Sequence, residues 1–144
     1  MAKNELAGTW KLVSAKTKCS DGQVMLPYGE YPRGVIMYDA AGNVSVNIMR
    51  SDRPWFSIPD KAKCTPQEAQ AAIESYEAYF GSYEVDEEKQ AVIHHVEGSL
   101  LPNWTGTDQF RFYELSHNQL VLSTAEILYA GTTVVGKLVW KRAA

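Results

Sequence analysis

Short stretches in which apolar and polar residues alternate, each closed by a cluster of turn-forming residues, recur along the chain. Alternation with a period of two marks a strand with one buried face, and enrichment in Val, Ile, Thr, Tyr, Phe and Trp supports that assignment. Eight such stretches are predicted: Thr9 to Lys16, Gly34 to Tyr38, Val44 to Arg50, Gly81 to Val85, Ala91 to Glu97, Thr107 to Leu115, Gln119 to Glu126 and Thr132 to Arg142. In the first, Trp10, Leu12 and Ser14 share a face opposite Lys11 and Val13. In the last, Val134, Leu138 and Trp140 lie opposite Val135, Lys137, Val139 and Lys141. The links Asp39 to Asn43, Asp86 to Gln90, Ser116 to Gln119 and Tyr129 to Thr132 are short and rich in turn residues. Neighbouring strands are therefore antiparallel and their order is a meander.

One segment departs from this period. Thr65-Pro66-Gln67-Glu68 combines a capping Thr, a Pro at the first helical position and a Glu three residues after the cap. Ala69, Ala72, Ile73, Tyr76 and Phe80 follow at helical spacing, and Gly81 is placed to end the helix in the left-handed conformation. This helix falls between the third and fourth strands. Ahead of it, Ser51 to Cys64 carries Trp55, Phe56 and Ile58 with Pro54 and Pro59, which is too apolar for a linker. Such a loop is expected to pack over the open end of the sheet as a lid.

An open sheet of eight strands has two exposed edges. Closure removes both and leaves an interior that side chains or one small ligand can fill. The expected fold is all-β: an eight-stranded antiparallel up-and-down barrel with one inserted helix, residues 1–144 forming a single domain. A two-sheet sandwich is the alternative.

Composition narrows the function classes. A net charge of -3, from 14 basic and 17 acidic residues, supplies no cationic excess for a phosphate backbone, so nucleic acid is not an expected partner. Met1 to Leu6 has no charged-then-apolar signal pattern and no run of eighteen apolar residues occurs, so neither export nor a membrane partner is expected and the location reads as cytoplasmic. Cys19 and Cys64 lie far apart without a CxxC, which reads as two free thiols. A nucleophile elbow, a phosphate-cradling glycine loop, HExxH and a dinucleotide fingerprint are all lacking, so no metal or cofactor is expected.

The candidate chemistry lies on the strands. His94 and His95 are adjacent, so they point to opposite faces and cannot grip one ion together. Either Val92, His94 and Val96 face inward, or Ile93, His95 and Glu97 do. The second arrangement is favoured, because a His and a carboxylate on one face can share a proton as a general acid or base. An ordinary core or surface histidine is the competing reading. Arg111 alternates with Gln109 and Tyr113; if inward, it needs a carboxylate such as Glu97 or Glu126, or an anionic ligand, since an unpaired buried guanidinium is costly. An outward Arg111 beside Glu84 or Glu114 is the alternative. Tyr38, Tyr83, Trp104 and Tyr113, with Arg50, Trp55 and Phe56 near the apolar loop, complete the candidate ligand-binding set, although such aromatics also build ordinary cores.

Several of these residues carry a family pattern. Gly8-Thr9-Trp10 opening the first strand, with Lys141 and Arg142 closing the last, resembles the lipocalin and calycin arrangement. The run Tyr79-Phe-Gly-Ser-Tyr-Glu-Val-Asp86, then His94 to Gly98, Pro102-Asn-Trp104, Gly106, Gln109, Arg111, Tyr113 and Leu138 to Arg142, is similar to bacterial and fungal lipocalin-like domain proteins across essentially the whole chain. The resemblance implies that Trp10 packs across the closed end of the barrel under a basic side chain of the final strand. A helix between strands three and four, instead of after strand eight, sets the chain apart from secreted lipocalins.

Two function classes follow. The first is a binding module holding a small, apolar or amphipathic molecule in the lumen, with Ser51 to Phe80 acting as a lid. The second is a small-metabolite enzyme of isomerase, cyclase or hydratase type, with His95 or Glu97 as base and Arg111 or Tyr113 steadying negative charge. Two or more titratable side chains converging on one cavity favour chemistry; a lone polar group at its mouth favours carriage.

Overall fold

The computed structural model describes residues 5–143; residues 1–4 of the Met1 to Leu6 segment, and residue 144, lie outside the described residues. One antiparallel sheet contains β1 (Gly8–Cys19), β2 (Val24–Met25), β3 (Arg33–Tyr38), β4 (Asn43–Met49), β5 (Tyr76–Asp86), β6 (Ala91–Ser99), β7 (Asp108–Leu115), β8 (Gln119–Thr124), β9 (Ile127–Tyr129) and β10 (Thr132–Arg142). Its order is β2-β1-β3-β4-β5-β6-β7-β8-β10-β9, and β1 also pairs with β10, so the sheet closes. Of the ten strands, β2 and β9 are short rim additions to β1 and β10, which leaves the eight expected staves. First-to-last pairing excludes the sandwich. Helix α1 (Pro66–Glu74) lies between β4 and β5, the third and fourth barrel staves.

Trp10 and Arg142 stand opposite each other in the closing pair, so the guanidinium lies over the indole with Cζ 4.1 Å from the ring centroid. The Trp10 Nε1–H donates to the Leu6 carbonyl at 2.9 Å, while Arg142 donates to the carbonyls of Ala7 and Glu5. This is the Trp-under-cation closure that the family resemblance implies, and Arg142 is the cation. Around it Ile36, Tyr38, Leu120, Trp140 and Leu6 fill the closed end of the lumen.

Two bulges set which side chains enter the lumen. The register shifts between Leu12 and Ser14 where β1 meets β10, so the alternation moves by one and Ala15, Thr17 and Cys19 are buried instead. The expected Trp10-Leu12-Ser14 face therefore holds only as far as Leu12. The second shift lies where Phe80 and Gly81 pair with Gly98 and Val96, leaving Glu97 as the extra residue on β6. Here β5 and β6 approach so closely that a Cβ on Gly81 would collide with the His95 carbonyl oxygen.

Gly81 therefore serves strand packing and does not end a helix. The capping box at Thr65 and Glu68 forms as expected, but α1 stops at Glu74. Ser75 folds its hydroxyl back onto the Ala71 carbonyl at 2.6 Å, and from Tyr76 onward the chain pairs with β4. Tyr76 and Phe80, read as a helical stripe, are strand residues. Sheet pairing on both sides outweighs a marginal continuation of a short helix.

Arg142→Ala removes the stacked cation and two charge-assisted hydrogen bonds from the closing seam. It is expected to lower unfolding stability by about 1–3 kcal/mol, with Arg142→Lys recovering part of the loss. Urea midpoints at unchanged m-value check this, and an unaltered midpoint for Arg142→Ala contradicts it.

Candidate functional site

A cavity of about 520 Å³ occupies the open half of the barrel. Its walls are inward residues of the staves, among them Ile36, Val46, Ile48, Leu122, Val134 and Leu138. Its cover comes from Pro27 and Tyr28 before β3, Leu101 and Trp104 after β6, and the β9 residues Ile127, Leu128 and Tyr129. Trp104 is held by a 3-10 turn (Pro102–Trp104) and by the Thr107 hydroxyl, which donates to its carbonyl at 2.6 Å. Its ring meets the Tyr79 ring edge-on, with centroids 5.6 Å apart.

His94 projects into the lumen and is 1% exposed. Its Nε2 lies 2.7 Å from the Tyr38 hydroxyl and its Nδ1 lies 2.7 Å from the Tyr79 hydroxyl. Burial, with the nearby Arg111 charge second, pushes the imidazole well below its ordinary 6.5, so the ring is neutral. A neutral imidazole has one N–H and one lone-pair nitrogen, so it donates to one phenol and accepts from the other. One phenol therefore donates to the ring and the other accepts from it, so both imidazole nitrogens are satisfied. Burial raises both phenols, and Arg111 opposes that rise.

Arg111 also points inward and is 8% exposed. One of its N–H groups donates to the Phe110 carbonyl at 2.9 Å, and its Cζ stands 5.7 Å from the Trp104 ring centroid. Among the described residues no carboxylate lies within ion-pair distance of it. Glu77 lines the same cavity; burial raises its carboxyl above the usual range, while a backbone hydrogen bond from Ala78 and the Arg111 charge pull it down. Trp140, at 1% exposure, lines the cavity, and its indole N–H is itself enclosed with no partner among the described residues.

Of the residues expected at the site, His94, Trp104 and Arg111 line the cavity, and Tyr38 supports it through His94. His95 and Glu97 do not. Val92, His94 and Val96 take the lumen face, which turns His95 outward between Asp108 at 2.7 Å and Glu84 at 3.1 Å, and Glu97 is the exposed bulge residue. The expected lumen pair of His95 and Glu97 is thus corrected by strand parity. Tyr83 and Tyr113 are buried nearer the closed end, where Tyr83 donates to the Asp39 carbonyl. Glu126 is exposed and pairs with nothing in the lumen.

The expected lid is corrected as well. Trp55 is 97% exposed, and Phe56 packs towards α1 beside Glu68, Ala71 and Ala72. Arg50 is tied to Asp52 at 2.9 Å outside the cavity. A wider groove of about 650 Å³ runs beside this loop, but its Arg50 and Arg53 are engaged by Asp52 and by Ser75 and Ala72. Glu77, Tyr79, Tyr28 and Trp140 were not singled out as lumen residues. For Glu77 and Tyr79 the helical reading of that stretch hid a period-two pattern running from Glu77 through Tyr79 and Gly81 to Tyr83.

Comparisons with known proteins agree with this architecture. The family model described as "Lipocalin-like domain" matches residues 7–143. The 4'-hydroxy-3'-methoxypropiophenone carrier protein of Aspergillus oryzae is 30% identical over 106 residues, covering 69% of this chain and 96% of the relative. No solved structure matches the chain.

The two histidines enter pH stability with opposite signs. The folded value of His94 is depressed, so below about 6.5 the unfolded chain binds a proton that the folded chain refuses, and stability falls with acid by up to about 1.4 kcal/mol per pH unit. His95 is raised, chiefly by Asp108, so its exposed, solvent-screened contribution is present below about 6.5 and fades as pH rises through its folded value. The buried ring dominates. NMR of the imidazoles should find His94 neutral at pH 5.5 while His95 titrates above 6.5, with a urea midpoint lower at pH 5 than at pH 7. An ordinary titration of His94 would contradict the seal.

Proposed function

The chain belongs to the lipocalin-like domain family, and from that premise we propose that its lumen binds one small, mostly apolar molecule with a flat aromatic part. The observation that carries the reading is the cavity of about 520 Å³, inside the range of about 300–1,000 Å³ typical of small-molecule pockets. Its aliphatic walls suit apolar surface, and Trp104 and Tyr79 offer ring faces and edges at the mouth. The name of the Aspergillus oryzae relative, a carrier of an aromatic ketone, supports the same ligand class. Two free thiols, Cys19 and Cys64, fit a cytoplasmic setting.

The neutral probe N-phenyl-1-naphthylamine, which fluoresces when shielded from water, tests this reading. Gly136 lines the cavity, and a Cβ there would meet Thr124 at an ordinary 3.5 Å, so Gly136→Leu is the substitution chosen to take up lumen space. The wild-type protein should bind the probe and 4'-hydroxy-3'-methoxypropiophenone should displace it. Gly136→Leu should weaken binding at least about tenfold, as expected for lost cavity volume and apolar contact. Equal affinity in both proteins places the probe elsewhere and removes the support.

One observation favours a second reading, acid–base catalysis on the same scaffold. Glu77, with its raised carboxyl, shares the cavity with Tyr79 and Arg111, so a base and two donors for a developing oxyanion converge there. His94 is sealed between two phenols and is not that base. The check is hydrogen–deuterium exchange at the carbon beside the ketone of 4'-hydroxy-3'-methoxypropiophenone in D2O. Exchange above the buffer rate that Glu77→Gln abolishes supports catalysis, and exchange at the buffer rate leaves carriage.

A further inference from the structure

We propose that the lumen selects organic anions: an apolar skeleton whose ionised oxygen, carboxylate or acidic phenol, lies against the guanidinium of Arg111. The inference rests on the reading of the lumen as a binding site and adds the charge of what enters it. Its ground is the polar inventory of the cavity. Arg111, which lines the cavity, can donate but not accept. Tyr79, whose hydroxyl lies beside the guanidinium, lines the same space.

Charge points the same way. Arg111 is buried on an inward strand face with a backbone carbonyl, the Tyr79 hydroxyl oxygen and the Trp104 ring as neighbours and no carboxylate in ion-pair reach among the described residues, and a guanidinium so placed is stabilised by a bidentate acid. Glu77 is the one carboxylate lining the cavity among the described residues. Burial raises the Glu77 carboxyl, which weakens it as a counter-ion. A neutral ligand would leave the Arg111 charge unanswered; an anionic oxygen answers it.

The test compares two fluorescent probes with one skeleton, N-phenyl-1-naphthylamine and its sulfonate, 1-anilinonaphthalene-8-sulfonate, on the full chain at pH 7. The measured quantity is the ratio of the two dissociation constants, which cancels the common apolar contact. Arg111→Met should shift that ratio against the sulfonate by at least about tenfold, and Arg111→Lys should shift it less, because a point charge replaces the fork. Glu77→Gln should shift it towards the sulfonate. This keeps the proposal testable if Arg111→Met does not fold. Gly136→Leu should weaken both probes together, locating them in the lumen.

A ratio unmoved by the Arg111 and Glu77 substitutions, with the neutral probe still lumen-bound, overturns anion selection and leaves the binding reading standing. Failure of both probes to bind the wild-type protein overturns both. Competition with cinnamate and with an acidic phenol at pH 6 and 9 separates the two anion sources. The carboxylate displaces the sulfonate at both pH values, and the phenol only where it is ionised.

Discussion

Everything inside the barrel depends on β1 finding β10, because a lumen exists only when the first strand completes the wall with the last. The register that achieves this places Trp10 opposite Arg142 and Cys19 opposite Val134, so the seam runs nearly the full length of both strands. Such non-local pairing carries a large loop-closure cost, which one backbone ladder offsets poorly. The stacked pair of Arg142 and Trp10, with the Leu6 carbonyl beneath the indole and the Ala7 and Glu5 carbonyls on the guanidinium, adds side-chain specificity where register matters most. A slip of one residue would turn Trp10 to solvent and every lumen residue of β1 with it.

The same parity rule explains the contents of the site. His94 and His95 differ by one position, yet one is a neutral ring buried between two phenols and the other a surface imidazole between two carboxylates. Environment, set by strand parity, separates their titration behaviour in opposite directions. Two bulges then adjust what parity alone would give. One withdraws Ser14 from the lumen face and brings in Ala15 and Thr17. The other ejects Glu97 and lets Gly81 approach the β6 backbone.

Much of the fold could be read from residue patterns because most of it is local. Hairpin links, alternation along β3, β4, β7 and β10, and the capping box of α1 are all written within a few residues of where they act. The site was less legible, since it depends on long-range register. Nothing near Arg111 in sequence says that Thr124 and Val92 flank it or that Glu97 will be displaced by a bulge. The aromatic loop misled for a different reason: Trp55 looks like a lid residue by composition, yet the cover is built from Pro27, Tyr28, Trp104 and β9. Short apolar groups beside turns, such as Leu100-Leu101-Pro102 and Ile127-Leu128-Tyr129, were the signal for that cover.

A barrel that buries Arg111 without a carboxylate accepts a cost that an all-apolar lumen would avoid. Several features reduce it: the Phe110 carbonyl takes one N–H, the Tyr79 hydroxyl oxygen lies within hydrogen-bond reach, Trp104 presents its ring, and Glu77 supplies an opposing field from the same cavity. None of these uses the planar fork in full. The Tyr38–His94–Tyr79 chain differs in being internally satisfied at both imidazole nitrogens, so it behaves as rigid wall and fixes where the Tyr79 hydroxyl stands. An incompletely satisfied cation beside a rigid wall forms a surface whose missing complement is electron-rich. A guest supplying that complement would finish the core of the barrel as well as occupy it, so occupancy and folding stability are coupled through the same few atoms.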